Sequence, residues 1–193
     1  MDSLLPRSTL APMAPATSRA AEELSQWKPL IKKAVAMNKE FNNYVLPAYA
    51  HFPDVSQVKS FKDLTDLYKG KVIFLDIWAS WCGPCMDSFA FVKPLQEYVK
   101  QHDDVVLLYL SCDTQQGDNI WKHIIADKDL MGEHVLMQES FEQEIFKLFG
   151  DERGRLSIPH CAIIDKKGEL RYRKASSPEQ IEALIQELEE ASK

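Results

Sequence analysis

The sequence predicts an α/β fold, a central β-sheet with helices on both faces, and three observations carry that prediction. Val72 to Trp78 is a continuous apolar run broken only by Asp76, the pattern of a strand buried on both faces. Val105 to Leu110 is a second such run, β-branched at its start. Between and after them apolar residues recur at helical spacing, and 45% of the 193 residues are apolar, enough for the core of one domain with an appendage.

Taken in order, residues 1–20 are rich in Ala, Pro, Ser and Thr, with Pro6, Pro12 and Pro15 spaced through them. Such a composition buries too little surface to offset the entropy of ordering, so a flexible tail is expected. Leu4-Leu5-Pro6-Arg7 supplies neither the charged start nor the apolar run of a signal peptide. From Ala21 to Tyr44, Leu24, Trp27, Leu30, Ile31, Ala34, Val35 and Phe41 recur at helical spacing opposite charged residues, which predicts an amphipathic helix. Its apolar stripe fits either packing on its own domain or docking a partner or second subunit. Leu46-Pro47 and Phe52-Pro53 punctuate the chain here, so 21–55 reads as a helical N-terminal extension and 56–193 as the main domain.

In that domain Val58, Phe61, Leu64 and Leu67 form a short lead-in, and Lys69-Gly70-Lys71 turns into the first long strand. Met86 to His102 reads as a helix with Phe89, Val92, Leu95 and Val99 on one face, and Pro94 is expected to bend it by clashing with the Ala90 carbonyl. Ser111-Cys112-Asp113-Thr114 follows the second strand as a loop at the sheet's C-terminal edge, where open α/β sheets bind ligands. A helix over Asn119 to Leu130, a strand near Val135 to Met137, and a helix through Phe141, Ile145 and Phe149 closed by Gly150 come next. Cys161 to Ile164 is another apolar run, and Ser177-Pro178-Glu179 opens a last amphipathic helix ending near Glu190.

The chemistry lies in Trp81-Cys82-Gly83-Pro84-Cys85, two thiols three residues apart where a strand gives way to a helix. Unpaired N–H groups and the helix dipole at a helix N-terminus favour an anion, and such placement lowers a thiol pKa from about 8.5 to roughly 3.5–7.5. Cys82 is therefore the expected attacker, and Cys85, one turn further in, the thiol that resolves a mixed disulfide. Asp76 lies within an apolar strand, where burial raises a carboxyl pKa, so it reads either as the base that deprotonates Cys85 or as a hydrogen-bonded structural acid. Trp78 reads as core and Trp81 as an aromatic shield over the site. Zinc needs four ligands; Cys112 and Cys161 stand alone on separate segments, so no metal is expected, and both read as buried, reduced fillers, with a second disulfide between them as the lesser alternative.

These residues resemble the thioredoxin superfamily. W-C-G-P-C is the thioredoxin form of the motif, Asp76 matches the buried acid six residues before the first cysteine, and Ser157-Ile158-Pro159 matches the cis-proline loop. Cys161 to Ile164 and Asp165-Lys166-Lys167-Gly168 then match the following strand and hairpin turn. The extra strand and helix between the second strand and Pro159 resemble the TlpA/ResA-like branch over residues 57–190. The resemblance implies a mixed sheet with that inserted segment, and a substrate surface of Trp81, Gly83, Pro84, Ile158, Pro159 and His160. It also implies no cofactor beyond the redox-active Cys82–Cys85 disulfide.

Three positions depart from the pattern. His160 replaces the threonine after the cis-proline and is expected to place an imidazole near the thiols or to face solvent. Ser88 stands where TlpA/ResA-like proteins carry a glutamate, and Tyr109 approximately where thioredoxins place a lysine near the buried acid.

The implied activity is thiol–disulfide exchange, and the Gly83-Pro84 pair resembles reducing thioredoxins rather than oxidases or isomerases. A thiol peroxidase is a rival reading, although Ser80 sits too near Cys82 for the peroxidatic motif; a non-catalytic interaction module is another. Implied partners are protein substrates with disulfides and an electron-donor thiol protein. TlpA/ResA-like proteins usually work outside the cytoplasmic membrane, which makes a periplasmic or other extracytoplasmic place the expectation by analogy and leaves the cytoplasm open. A formal charge of −6 with no dense basic stripe argues against nucleic acid, and no run approaches the roughly eighteen apolar residues of a membrane span.

Overall fold

The computed structural model describes residues 44–113 and 119–193. The expected tail over 1–20 and all but the last residue of the helix expected over Ala21 to Tyr44 lie outside them. Six strands form one mixed sheet: β1 (Ala50–His51), β2 (Val72–Trp78), β3 (Val105–Ser111), β4 (Gly132–Leu136), β5 (His160–Ile164) and β6 (Leu170–Tyr172), in the spatial order β1-β4-β3-β2-β5-β6. β1, β4, β3 and β2 run parallel; β5 and β6 are antiparallel to their neighbours. β2 and β3 are buried along all of their seven residues each, as unbroken apolar runs at the centre of a two-faced sheet must be.

The helices divide between the faces. On one side α1 (Phe61–Asp66) and α5 (Glu139–Phe149) bring Phe61, Leu64, Phe141, Ile145 and Phe149 against Ile73, Leu75, Ile77 and Ile164. On the other, α2 (Gly83–Ser88), α3 (Val92–Val99), α4 (Ile120–Asp127) and α6 (Ile181–Ala191) bury Phe89, Leu95, Ile125, Leu184 and Leu188 against Phe74, Trp78, Leu107 and Ile163. Ser60 caps α1, its hydroxyl accepting from the Asp63 N–H at 3.0 Å, which satisfies one of the four donors a helix start leaves unpaired.

Two local expectations are corrected. The helix after the cysteine motif breaks at a 3₁₀ turn over Phe89–Phe91, upstream of Pro94. Pro94 then falls in the first turn of α3, where its missing N–H has no intrahelical partner to lose and no bend is needed. Residues 44–55, read as the end of a helical extension, instead form a turn and the edge strand β1, which pairs Ala50 with Gly132 and His51 with Glu133.

Candidate active site

β2 ends at Trp78, and Cys82 follows as the N-cap of α2, its backbone extended and its sulfur accepting from the Cys85 N–H at 3.2 Å. Pro84 in the first turn presets helical φ where no hydrogen-bonding N–H is required. Cys82 and Cys85 are joined as a disulfide, with Cα atoms 5.3 Å apart. Cys82 keeps 5% of its surface exposed and Cys85 none, so an incoming sulfur meets Cys82. Around it Gly83 and Pro84 are exposed, nothing lies within 4 Å of where a Gly83 side chain would begin, and Trp81 stands 71% exposed. The Ile158–Pro159 peptide bond is cis, and β5 starts beside the C-terminal end of β2, with His160 opposite Ile77.

Asp76 is buried on the disulfide side of the sheet. Residues paired on adjacent strands share a face, and one rung runs Cys161, Asp76, Tyr109, His134 across β5, β2, β3 and β4. Cys161 and Tyr109 belong to the same apolar cluster as Cys82 and Cys85, which fixes the side. Asp76 Oδ1 has no hydrogen-bond partner among the described residues, and burial pushes the carboxyl up to about 7. Tyr109 does stand opposite Asp76, and in place of a cation it supplies a neutral phenol whose pKa is raised by burial first and by the neighbouring carboxyl second. Its ring stacks on His134 at 5.0 Å, and burial lowers that imidazole to about 4, so it is neutral. Ser88, the last residue of α2, is buried with its hydroxyl unpartnered.

His160 is not part of this gathering. Side chains alternate along a strand, and since Cys161 takes the disulfide side, His160 turns to the other. Its ring lies 5.2 Å from Phe149 and its Nε2 pairs with the Arg173 carbonyl at 2.7 Å. Of the two expected placements, near the thiols or facing solvent, these contacts put the half-buried ring on the side of the sheet away from Cys161. Cys112 and Cys161 are free thiols, the first half-buried and the second buried. Among the described residues no group of three or more His, Cys, Asp or Glu is placed to hold a metal.

One residue was missed by sequence reasoning. Asp113, just past β3, accepts from the Ser80 backbone N–H at 3.0 Å, from the Ser80 hydroxyl at 2.6 Å and from the Ser111 hydroxyl at 2.7 Å. It clamps the loop that carries Trp81 and Cys82 to the end of the neighbouring strand. The signal available was its place at the C-terminal edge of a parallel sheet, where loops from adjacent strands meet.

Comparison with known proteins agrees with this geometry. The chain is 24% identical over 124 residues to the Thiol-disulfide oxidoreductase ResA of Bacillus thuringiensis subsp. konkukian (strain 97-27), an overlap of 63% of this chain and 65% of the relative. The chain thus spans just under two thirds of that relative's length. A Chlorobium tepidum protein assigned as the thiol:disulfide interchange protein DsbE superposes with a TM-score of 0.50 at 27% identity, covering 66% of this chain and 84% of that one. The thioredoxin domain of a thiol-disulfide oxidoreductase from Bacteroides vulgatus superposes with a TM-score of 0.52 at 18% identity, over 65% and 81% of the two chains, a likeness of fold. The Redoxin family pattern matches residues 36–188, a span that holds every strand of the sheet and the whole disulfide loop, and the chain therefore belongs to the Redoxin family, with the fold of the thioredoxin superfamily.

Proposed function

We propose that the protein is a thiol–disulfide oxidoreductase that reduces disulfides of protein substrates through Cys82 and Cys85. The observation that carries this reading is the exchangeable pair itself: a disulfide capping α2, one sulfur accessible and the other enclosed, on the face of the sheet that also buries Asp76. In the reduced enzyme the Cys82 thiolate attacks one sulfur of a target disulfide, forming a mixed disulfide and releasing the other target sulfur as a thiolate that takes up a proton. Asp76 accepts the Cys85 proton, and the Cys85 thiolate attacks the Cys82 sulfur. The Cys82–Cys85 bond forms as the Cys82–target bond breaks, the second target sulfur leaves as a thiolate that takes up a proton, and two electrons have passed from the enzyme dithiol to the target.

An electron-donor thiol protein is needed to restore the dithiol, and the relatives' names support the reaction class. The TlpA/ResA-like resemblance further supports action outside the cytoplasmic membrane. Trp81, Gly83, Pro84, Ile158 and Pro159 form the proposed substrate surface. Two variants test the reading against a disulfide-linked substrate protein. Cys82→Ser is expected to abolish reduction, and Cys85→Ser to accumulate a covalent enzyme–substrate adduct visible by intact mass. Normal turnover by Cys82→Ser would end it.

A further inference from the structure

Beside the cis-proline lies an open groove of about 730 Å³, walled by Ser157, Pro159, Asp151, Arg155, Arg173 and Lys174. Its charge runs against that of the chain, which is −6 overall. Asp151, its sole acid, is neutralised locally: Arg155 grips one carboxylate oxygen through Nε and Nη2 at 2.9 and 2.7 Å. Arg173 donates to the uncharged Gly150 carbonyl at 2.8 Å, which holds its guanidinium in the groove, and it forms no ion pair among the described residues. Lys174 forms no ion pair among the described residues. Two positive charges therefore face solvent, both carried by the segment after β6 whose Arg173 carbonyl is tied to His160.

The floor is fixed as well, with His160 packed on Phe149. Pro159, part of the proposed substrate surface, also lines the groove, so a target chain that continues past Pro159 away from Cys82 meets it. Lysine and arginine without an acidic partner discriminate by charge, attracting carboxylates and repelling cations.

We infer that the groove carrying Arg173 and Lys174 selects protein substrates carrying Asp or Glu beside the disulfide to be reduced. The inference rests on the thiol–disulfide reading for its setting and adds a substrate class to it.

The test uses two disulfide-linked peptides that differ only in flanking residues, three Asp in one and three Lys in the other. With the full chain at low salt, kcat/KM for the acidic peptide is expected to exceed that for the basic one by about tenfold, and the ratio to fall towards one at about 0.5 M salt. Lys174→Glu is expected to erase or invert the ratio. Lys167→Glu makes the same change in net charge at the β5–β6 turn and is expected to keep it.

Equal kcat/KM for the two peptides in the wild type, or an unchanged ratio in Lys174→Glu, would overturn the inference. Binding of the same peptides with alanine in place of cysteine separates the two readings. Tighter binding of the acidic peptide without any turnover sustains the groove and removes the reductase; turnover with no charge preference does the reverse.

Discussion

Taking a carboxylate out of water disfavours its ionised form, and at Asp76 nothing nearby offsets that loss: Tyr109 and Cys161 flank it on the rung as neutral groups, and no ion pair reaches it among the described residues. A folded pKa of about 7 against an unfolded value near 3.9 means that the native state holds its proton more tightly. Below about pH 4 both states are protonated and the site carries no cost. The cost grows as pH rises to about 7 and is constant above it. Between pH 5 and pH 8 the wild type is expected to lose about 3 kcal/mol relative to Asp76→Asn, read as the difference in urea unfolding free energy. Equal pH profiles would mean that the carboxylate is stabilised when charged. Because the same group is the proposed base for Cys85, Asp76→Asn is also expected to slow resolution of the mixed disulfide by about a hundredfold. That Asp76 would be buried was legible from its neighbours in the sequence; that His160 would turn away was not, because the facing of a strand's first residue is set by its register with β2.

Elements built on long apolar runs were readable, and those held by backbone alone were not. β2 and β3 announce themselves through seven buried residues each. β1 has two residues and one neighbour, so no side-chain pattern marks it. β4 begins at Gly132, three residues before the expected Val135, because its start is fixed by close approach of two backbones rather than by apolar side chains. A Cβ at Gly132 would lie 2.6 Å from the Leu107 carbonyl oxygen and 2.9 Å from the Leu107 Cβ, and the glycine φ is +142°. Gly132→Ala is therefore expected to destabilise the protein by about 2–4 kcal/mol in urea unfolding. A cost under about 0.5 kcal/mol would show that β4 shifts freely along its neighbours. Pro94 teaches the converse: a proline inside an apolar periodicity can mark the start of a second helix instead of a bend in one.

At the scale of the molecule, fold class, sheet centre and dithiol loop were all legible, since each depends on local pattern. The Asp113 clamp was not, nor was the four-strand rung beyond the Asp76–Tyr109 neighbourhood that the resemblance implied, since they join residues that only the strand order brings together. This whole arrangement sets the balance between disulfide and dithiol. A reduced Cys82 thiolate at the start of α2 is favoured by the helix end, while the buried acid disfavours a second negative charge behind it. For a reductase the equilibrium potential of the Cys82–Cys85 pair is expected near or below about −250 mV, measured by tryptophan fluorescence across a dithiol/disulfide buffer series. A value between about −180 and −120 mV would move the reading to an isomerase or an oxidase.

The rung through Asp76 has a further consequence. Cys161, Tyr109 and His134 are all held neutral by burial at physiological pH, so the interior acid is insulated from ions in the medium, whereas Arg173 and Lys174 stand in it. The molecule thus has two electrostatic climates. On the proposed function and substrate selection, salinity is expected to alter which substrates are captured, while the pH at which they are processed is expected to follow the inside of the sheet.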